Sequence, residues 1–218
     1  MLARLKLIRW PAVTVVAGTA LIAAAAVGYV ATRPPGHDYG VVPAASATTA
    51  PAARTRPASR SDHSQIGVAV TAVPVRLRIP AIGVSAAVVP VGVDASGGLG
   101  IPADPSVIGW WAGGSSPGQV SGATILVGHV DSAARGPGAL FRLEQLRPGT
   151  AVTVTAGGRA WRYVVRAVRA YGKARLPSAA VFGQRVTPRL VIVTCGGPFD
   201  AATGHYLDNI VAYALPAQ

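Results

Sequence analysis

The chain reads VIVTCGGPFD over residues 191–200, where an apolar, β-branched run ends on Cys195, the only cysteine of 218 residues. Valine and isoleucine favour a strand, and the two glycines after the cysteine favour a turn. A thiol at the end of a strand, followed by a glycine turn, is both held and exposed, as a nucleophile must be. These residues therefore predict a β-rich fold with a reactive cysteine at one strand end.

A second strand-like run leads to a histidine. Residues 123–127 read ATILV and are followed by GHVD at 128–131. His129 would offer an acid or a base at the end of another strand. The lone cysteine and this histidine together predict cysteine chemistry.

Composition limits the class of protein. Half of the residues are hydrophobic and 13% are charged, which is too apolar for a disordered chain and indicates one globular domain with appendages. A single cysteine excludes an internal disulfide, and no CxxC or histidine-rich tract supplies zinc ligands. We therefore expect no metal and no cofactor.

The N-terminus predicts a membrane anchor. Residues 1–10 form a basic head, and residues 11–31 are an uncharged apolar run. About 20 apolar residues span a bilayer, whereas a cleaved signal peptide has a shorter apolar region. The positive charges before the span predict a cytoplasmic N-terminus and an extracytoplasmic domain at the cell membrane. The alternatives are a buried core helix and cleavage by signal peptidase at Ala24-Ala25-Ala26.

The next segment predicts a tether. Residues 32–73 are dominated by Ala, Pro, Thr, Ser and Arg and show no helix or strand period. Such a composition cannot bury enough apolar surface to offset the entropy of ordering. We expect a disordered linker between the anchor and the domain.

Residues 74–218 predict an all-β domain, because short apolar runs alternate with Gly, Pro and Asp turns. Helix is predicted only at 139–146, with a helical turn at 178–182. Closure into a barrel of seven or eight strands would remove the exposed sheet edges. The predicted strands are 75–79, 86–91, 123–127, 151–155, 161–170, 190–194 and 207–214.

The order of these motifs resembles a sortase, and most closely the actinobacterial class F type. The resemblance rests on GHVD at 128–131, VTCGGPFD at 193–200 and TGHYLDN at 203–209, with VIGW at 107–110 and PG at 117–118 before them. It covers essentially all of the β-rich domain behind an anchor and a tether. "GH" and "TC" are common alone, but their order here is specific.

The resemblance implies a transpeptidase with a sortase-like β-barrel. Cys195 would attack the Thr-Gly carbonyl of an LPXTG-like sorting signal, form a thioester and pass the acyl group to an amine of the cell wall. His129 would stabilise the thiolate and protonate the leaving amine. The partners would be surface proteins with that signal and the cell-wall precursor, with the membrane reached through the anchor; nucleic acid is not expected.

Two further residues are expected to support His129 and Cys195. Asp131 lies two residues after His129 and would either orient the imidazole or cap the turn at 132–138. Thr194 directly precedes the cysteine. We expect His205, next to Gly204, to be an exposed turn residue.

The chain departs from the family in one respect, because sortases carry an arginine on the final strand and this chain has no arginine after Cys195. The aligned position falls on Leu207 or Asn209. Asn209 would donate an amide N–H to an oxyanion, or it is a hydrogen-bonded residue at a strand end. Alternatively an upstream arginine supplies the charge, the candidates being Arg135, Arg142 and Arg189.

A non-catalytic function is the alternative from another class. From residue 74 onward the chain has 13 Arg and Lys against 6 Asp and Glu, a net charge of +7. A membrane-tethered basic β-domain could bind wall polymers. Other cysteine enzymes of the wall are disfavoured, since their cysteine and histidine occur in a different order or spacing.

Overall fold

The computed structural model describes residues 38–44, 72–95 and 97–218. The predicted basic head, the predicted span at 11–31 and most of the predicted tether lie outside these residues. Among the residues described, no helix is long and apolar enough to cross a membrane.

The elements are β1 (Tyr39–Gly40), β2 (Pro74–Ile79), β3 (Val84–Val91), β4 (Ile108–Trp111), β5 (Ala123–Val127), β6 (Asp131–Ser132), β7 (Gly136–Pro137), β8 (Ala151–Ala156), β9 (Arg159–Gly172), α1 (Ser178–Phe182), β10 (Arg189–Asp200) and β11 (His205–Pro216), with 3₁₀ turns at Pro80–Ile82, Leu143–Gln145 and Lys173–Arg175.

Eight of these strands close into a barrel. Their order is β9-β11-β10-β5-β4-β3-β2-β8, and β8 pairs back onto β9. The pairs β10–β5 and β3–β4 are parallel, and the others are antiparallel. The prediction of an all-β barrel of seven or eight strands is confirmed. Closure leaves none of these eight strands with an open edge.

The alternation of apolar residues explains the barrel interior. In β3, for example, Val84, Ala86 and Val88 are buried while their neighbours Ser85 and Ala87 are exposed, as expected for side chains with a period of two. Large apolar side chains from the other strands fill the same interior, and each contributes about 1.5 to 3 kcal/mol by leaving water. They include Leu77, Ile79, Leu126, Val152, Val154, Leu190 and Ile192.

A second apolar cluster lies outside the barrel, beneath α1. The strand β5 is buried on both faces, because Leu126 points into the interior and Ile125 into this outer cluster. Val181 of α1 covers it, and Phe182 meets the Trp111 ring edge to face at 5.9 Å. This packing fixes the strand that leads to His129.

The structure differs from the sequence-based elements in several places, and two of these differences bear on the core. The strand β4 was not among the runs predicted from periodicity. The predicted helix at 139–146 is instead a series of tight turns, in which Leu143 and Leu146 donate to the carbonyls of residues three positions earlier. Such turns repeat every three residues, so Leu140, Leu143 and Leu146 lie on one side and all reach the core.

Seven residues of the predicted tether lie against the barrel. Tyr39 and Gly40 pair with β9, and the guanidinium of Arg169 donates to both of their carbonyl oxygens. Arg147 stacks on the Tyr39 ring, with its Cζ 3.9 Å from the ring centroid. Further along, Arg189 binds the carbonyls of residues 43 and 44. Residues 38–44 are therefore bound to the domain by arginine side chains.

Candidate active site

The strands β5 and β10 bring the predicted histidine and cysteine together. The two strands are parallel, with Val127 opposite Val193. Beyond this pair, the Gly128 N–H donates to the Val193 carbonyl at 3.2 Å, and the Thr194 hydroxyl donates to the Gly128 carbonyl at 2.8 Å. His129 and Cys195 each lie two residues beyond the Val127–Val193 pair.

Thr194 is the support that joins the two strands at this point. Its side chain is buried, as is its hydrogen bond to the Gly128 carbonyl. Such a bond contributes about 0.5 to 1.5 kcal/mol, and leaving the carbonyl without a partner would cost about 1 to 3 kcal/mol. The residue before the cysteine thus anchors the residue before the histidine.

The His129 ring is oriented by a backbone carbonyl. Its Nε2 lies 2.9 Å from the oxygen of Pro102, in the loop between β3 and β4. A carbonyl only accepts, so this hydrogen bond requires that Nε2 carries a proton and that Nδ1 is left for another partner. Nothing in the sequence pattern pointed to Pro102, because a carbonyl acceptor leaves no mark on residue type.

Cys195 lies within β10 instead of at its end, since β10 continues to pair with β11 beyond it. The register shifts between Gly196 and Phe199, which forms a bulge directly after the cysteine. Gly197 has a φ of +73°, and a Cβ there would lie 2.0 Å from the Asp208 carboxylate. Only glycine fits this turn, so the glycine predicted to follow a nucleophile has a steric reason.

Cys195 and His129 line one cavity of about 230 Å³, here named the His–Cys cavity. Its wall also includes Asp131, Lys173, Phe199, His205 and Tyr206. The thiol is only partly buried. A thiol and an imidazole that share an open cavity can carry out nucleophilic attack and proton transfer.

A second cavity of about 230 Å³ meets the first at the cysteine. Val130, Cys195 and Tyr206 line both. The side chains of Leu140, Phe141, Glu144 and Ile210 contribute to the rest of its wall. Space is therefore open on two sides of the thiol.

Asp131 binds a residue that the sequence did not suggest. Its carboxylate accepts a hydrogen bond from the Tyr206 hydroxyl. This bond, with burial and the charge of Asp131 as smaller causes, raises the pKa of Tyr206 to about 12. Tyr206 also meets the Phe199 ring edge to face at 5.2 Å. Asp131 thus connects the histidine loop to the hairpin that follows the cysteine.

That hairpin is closed by its own polar residues. The Asp200 carboxylate accepts from the Ala202 N–H and the Thr203 hydroxyl, and these bonds lower the pKa of Asp200. His205 pairs with Asp200 at the start of β11 and is exposed, although it also lines the His–Cys cavity.

Asn209 stands directly opposite Cys195 in the antiparallel pair of β10 and β11. Directly opposed residues point to the same face, with Cβ atoms about 4.5 to 5.5 Å apart. The other aligned position, Leu207, is 49% exposed. Of Leu207 and Asn209, it is Asn209 that pairs with Cys195.

None of the three candidate arginines lines the His–Cys cavity. Arg189 begins β10, six residues before Cys195 and thus about 20 Å along the strand. It is buried, and the burial lowers its pKa. Arg135 pairs with Asp104 at 3.3 Å, and Arg142 lines a different cavity, next to Ile82. The cation that does line the His–Cys cavity is Lys173, which the sequence reasoning missed.

Comparisons with known proteins agree with this geometry. The sequence model of the sortase domain matches residues 77–217. A search among curated proteins found no relative at a significant level.

Solved structures with the same fold are sortases of several classes. Sortase C-1 from Actinomyces oris is 20% identical with a TM-score of 0.51, over 66% of this chain and 73% of that one. The lid mutant of sortase A from Corynebacterium diphtheriae is 16% identical with a TM-score of 0.52, over 66% and 69%. Sortase E1 from Streptomyces coelicolor, solved with a tripeptide in the active site, is 14% identical with a TM-score of 0.51, over 68% and 89%. The domain match over most of the chain, on an eight-stranded barrel with a cysteine and a histidine in one cavity, shows that this protein belongs to the sortase family of cysteine transpeptidases.

Proposed function

We propose that Cys195 is the nucleophile that cleaves an LPXTG-like sorting signal between Thr and Gly. Its sulfur forms a bond to the threonine carbonyl carbon, and the C–N bond to glycine breaks. An amine of the cell wall then attacks the thioester, forms a new amide and releases the thiol. The observation that carries this proposal is the single cavity shared by His129 and the chain's only cysteine.

His129 is the general acid and base in this proposal. It stabilises the thiolate before attack and gives a proton to the departing glycine amine. The Pro102 carbonyl holds Nε2, so Nδ1 is the nitrogen left for the thiol and the leaving group. The proton returns when the acceptor amine attacks the thioester.

The two cavities at Cys195 support a peptide substrate. An extended peptide crossing the thiol would find space on both sides of the scissile bond. The apolar side chains of Leu140, Phe141 and Ile210 suit the leucine and proline of an LPXTG-like signal. Because the family is one of cysteine transpeptidases, this function is favoured over a non-catalytic domain that binds wall polymers. The motifs around His129 and Cys195 favour the class F type.

The experiment that tests this function uses the full-length protein with a panel of LPXTG-like peptides and an amine. We expect one or more peptides to be cut between Thr and Gly, with the amine joined to the new threonine carboxyl end. Mass spectrometry would identify the products and an acyl-enzyme of the matching mass. Cleavage at another bond, or no acyl-enzyme with any peptide, would contradict the proposal.

We propose that Asn209 donates a hydrogen bond to the oxyanion of the tetrahedral intermediate. Its place opposite Cys195 supports this role. Asn209→Ala should lower the acylation rate by about 10² or more, since removing one such donor typically costs about 10² to 10³ in rate. Single-turnover kinetics would measure the change, and a melting curve would exclude loss of fold. Near wild-type acylation in this variant would remove Asn209 from the mechanism without affecting Cys195 or His129.

We also propose that residues 11–31 anchor the protein in the cell membrane with the barrel outside. The apolar run and the basic residues before it support this topology. The protein should sediment with membranes, and protease added to intact protoplasts should remove the domain. A domain that stays protected until the protoplasts are lysed would refute the topology.

A further inference from the structure

The arginine that sortases carry on the final strand is absent from this chain. No arginine follows Cys195, and the three upstream candidates have other surroundings: Arg189 is about 20 Å away along β10, Arg135 pairs with Asp104, and Arg142 lines another cavity. Lys173 is one of only two lysines in the chain, and it lines the His–Cys cavity together with Cys195 and His129.

The strand register explains how Lys173 reaches this place. On β11, Asn209 is opposite Tyr171 and Asp208 is opposite Gly172 of β9. Lys173 directly follows Gly172, at the start of the 3₁₀ turn Lys173–Arg175, and Leu207 directly precedes Asp208 on β11. Leu207 is one of the two positions on which the family arginine aligns. Adjacent strands are about 4.8 Å apart, so a cation directly after β9 can lie close to the position of one on β11.

The turn that carries Lys173 is held next to the cysteine hairpin. A methyl group on Gly172 would lie 3.6 Å from Arg175 Nε and 3.9 Å from Asp208 Oδ1, so both side chains lie against Gly172. Asp208 is 2% exposed, and its carboxylate also packs against Gly197. The position of the Lys173 turn is thus linked to the turn that follows Cys195.

We propose that Lys173 supplies the positive charge of the active site, taking the place of the absent arginine from the neighbouring strand. This rests on the proposed function, in which a thiolate and then an oxyanion form at Cys195. An ammonium group at the wall of the same cavity favours both anions over their neutral precursors. Lys173 is exposed, so its effect is screened by salt before the substrate covers it.

A substrate-free measurement tests the charge itself. The Cys195 thiol is alkylated with anionic iodoacetate and with neutral iodoacetamide, and the ratio of the two rates is compared between variants. The ratio removes differences in thiol ionisation and reports local charge. For two charges about 7 Å apart in water, Coulomb's law gives about a threefold effect. We therefore expect the ratio to fall about threefold in Lys173→Ala at low salt, and less at high salt.

Two control variants test whether the effect depends on the charge at residue 173. Lys173→Arg should keep the ratio, because it keeps the charge. Arg78→Ala removes an exposed arginine from β2, four strands from β10 around the barrel, and should leave the ratio unchanged. An unchanged ratio in Lys173→Ala would overturn the proposal, and a fall in Arg175→Ala alone would assign the charge to Arg175.

Peptide turnover separates this inference from the proposed function. With a cleaved peptide, Lys173→Ala should lower kcat about tenfold with little change in KM, since the charge acts on the transition state in a cavity that the bound peptide covers. Lys173→Arg should restore most of the rate. An effect on KM alone would contradict the inference. If the wild-type protein forms no thioester with any peptide, the proposed substrate is wrong, while the alkylation ratio still decides the role of Lys173.

Discussion

Cys195→Ala is expected to abolish both the thioester and the transpeptidation product. The reason is chemical, because the chain contains no other thiol that could take over the attack. The alanine side chain is smaller and apolar, and the partly buried site tolerates it without a clash. Intact-protein mass spectrometry should show no acyl adduct, and product assays should match the uncatalysed background.

The control for this variant is its stability. A melting curve close to that of the wild type would show that the barrel remains folded. If Cys195→Ala keeps even a few per cent of the wild-type rate, the cysteine is not the nucleophile. The family assignment, which rests on the domain match and the fold, would then need another explanation for its chemistry.

His129→Ala should lower the rate of peptide cleavage by about 10² to 10⁴, which is the usual contribution of a positioned acid or base. The loss should lie in the acylation step, where the thiolate forms and the glycine amine leaves. Rapid-quench measurement of thioester formation would separate this step from transfer to the acceptor. Added imidazole should restore part of the activity, because the truncated side chain leaves space next to Pro102.

The matched control is His205→Ala. His205 lines the same cavity, but it lies exposed at the start of β11. We expect its loss to change the rate by less than about a factor of 10, on the energy scale of an exposed charge. A severe defect in His205→Ala combined with a mild one in His129→Ala would reverse the assignment of the acid and base.

Local patterns in the sequence were sufficient to predict the type of fold. Alternating runs such as the one in β8 and the continuous apolar run of β5 predicted strands, because side-chain burial has a short period that a linear sequence displays. The strand β4 was not predicted, although VIGW at 107–110 was among the motifs of the resemblance to sortases. It has four residues, IGWW, and all but the last are buried, so no alternation reveals it.

Long-range geometry could not be predicted in the same way. The interaction of Asp131 with Tyr206 joins residues 75 positions apart, and the Pro102 carbonyl that holds His129 is 27 positions away. Neither contact has a local sequence signature. The sequence left two roles open for Asp131, and the structure adds a partner that neither role included.

The sequence by itself determined that this chain has a β-rich domain, with its one thiol on a strand-like run and a histidine just after another, since both conclusions depend only on residue type and short spacings. Only the tertiary structure decided which groups surround that thiol. The strand register of β9, β10 and β11 depends on bulges at Gly196 to Phe199 and at Tyr213 to Ala214, and each bulge shifts the pairing of every later residue. Asn209 therefore faces Cys195, and Lys173 lines the cavity, through strand pairings that no local pattern encodes.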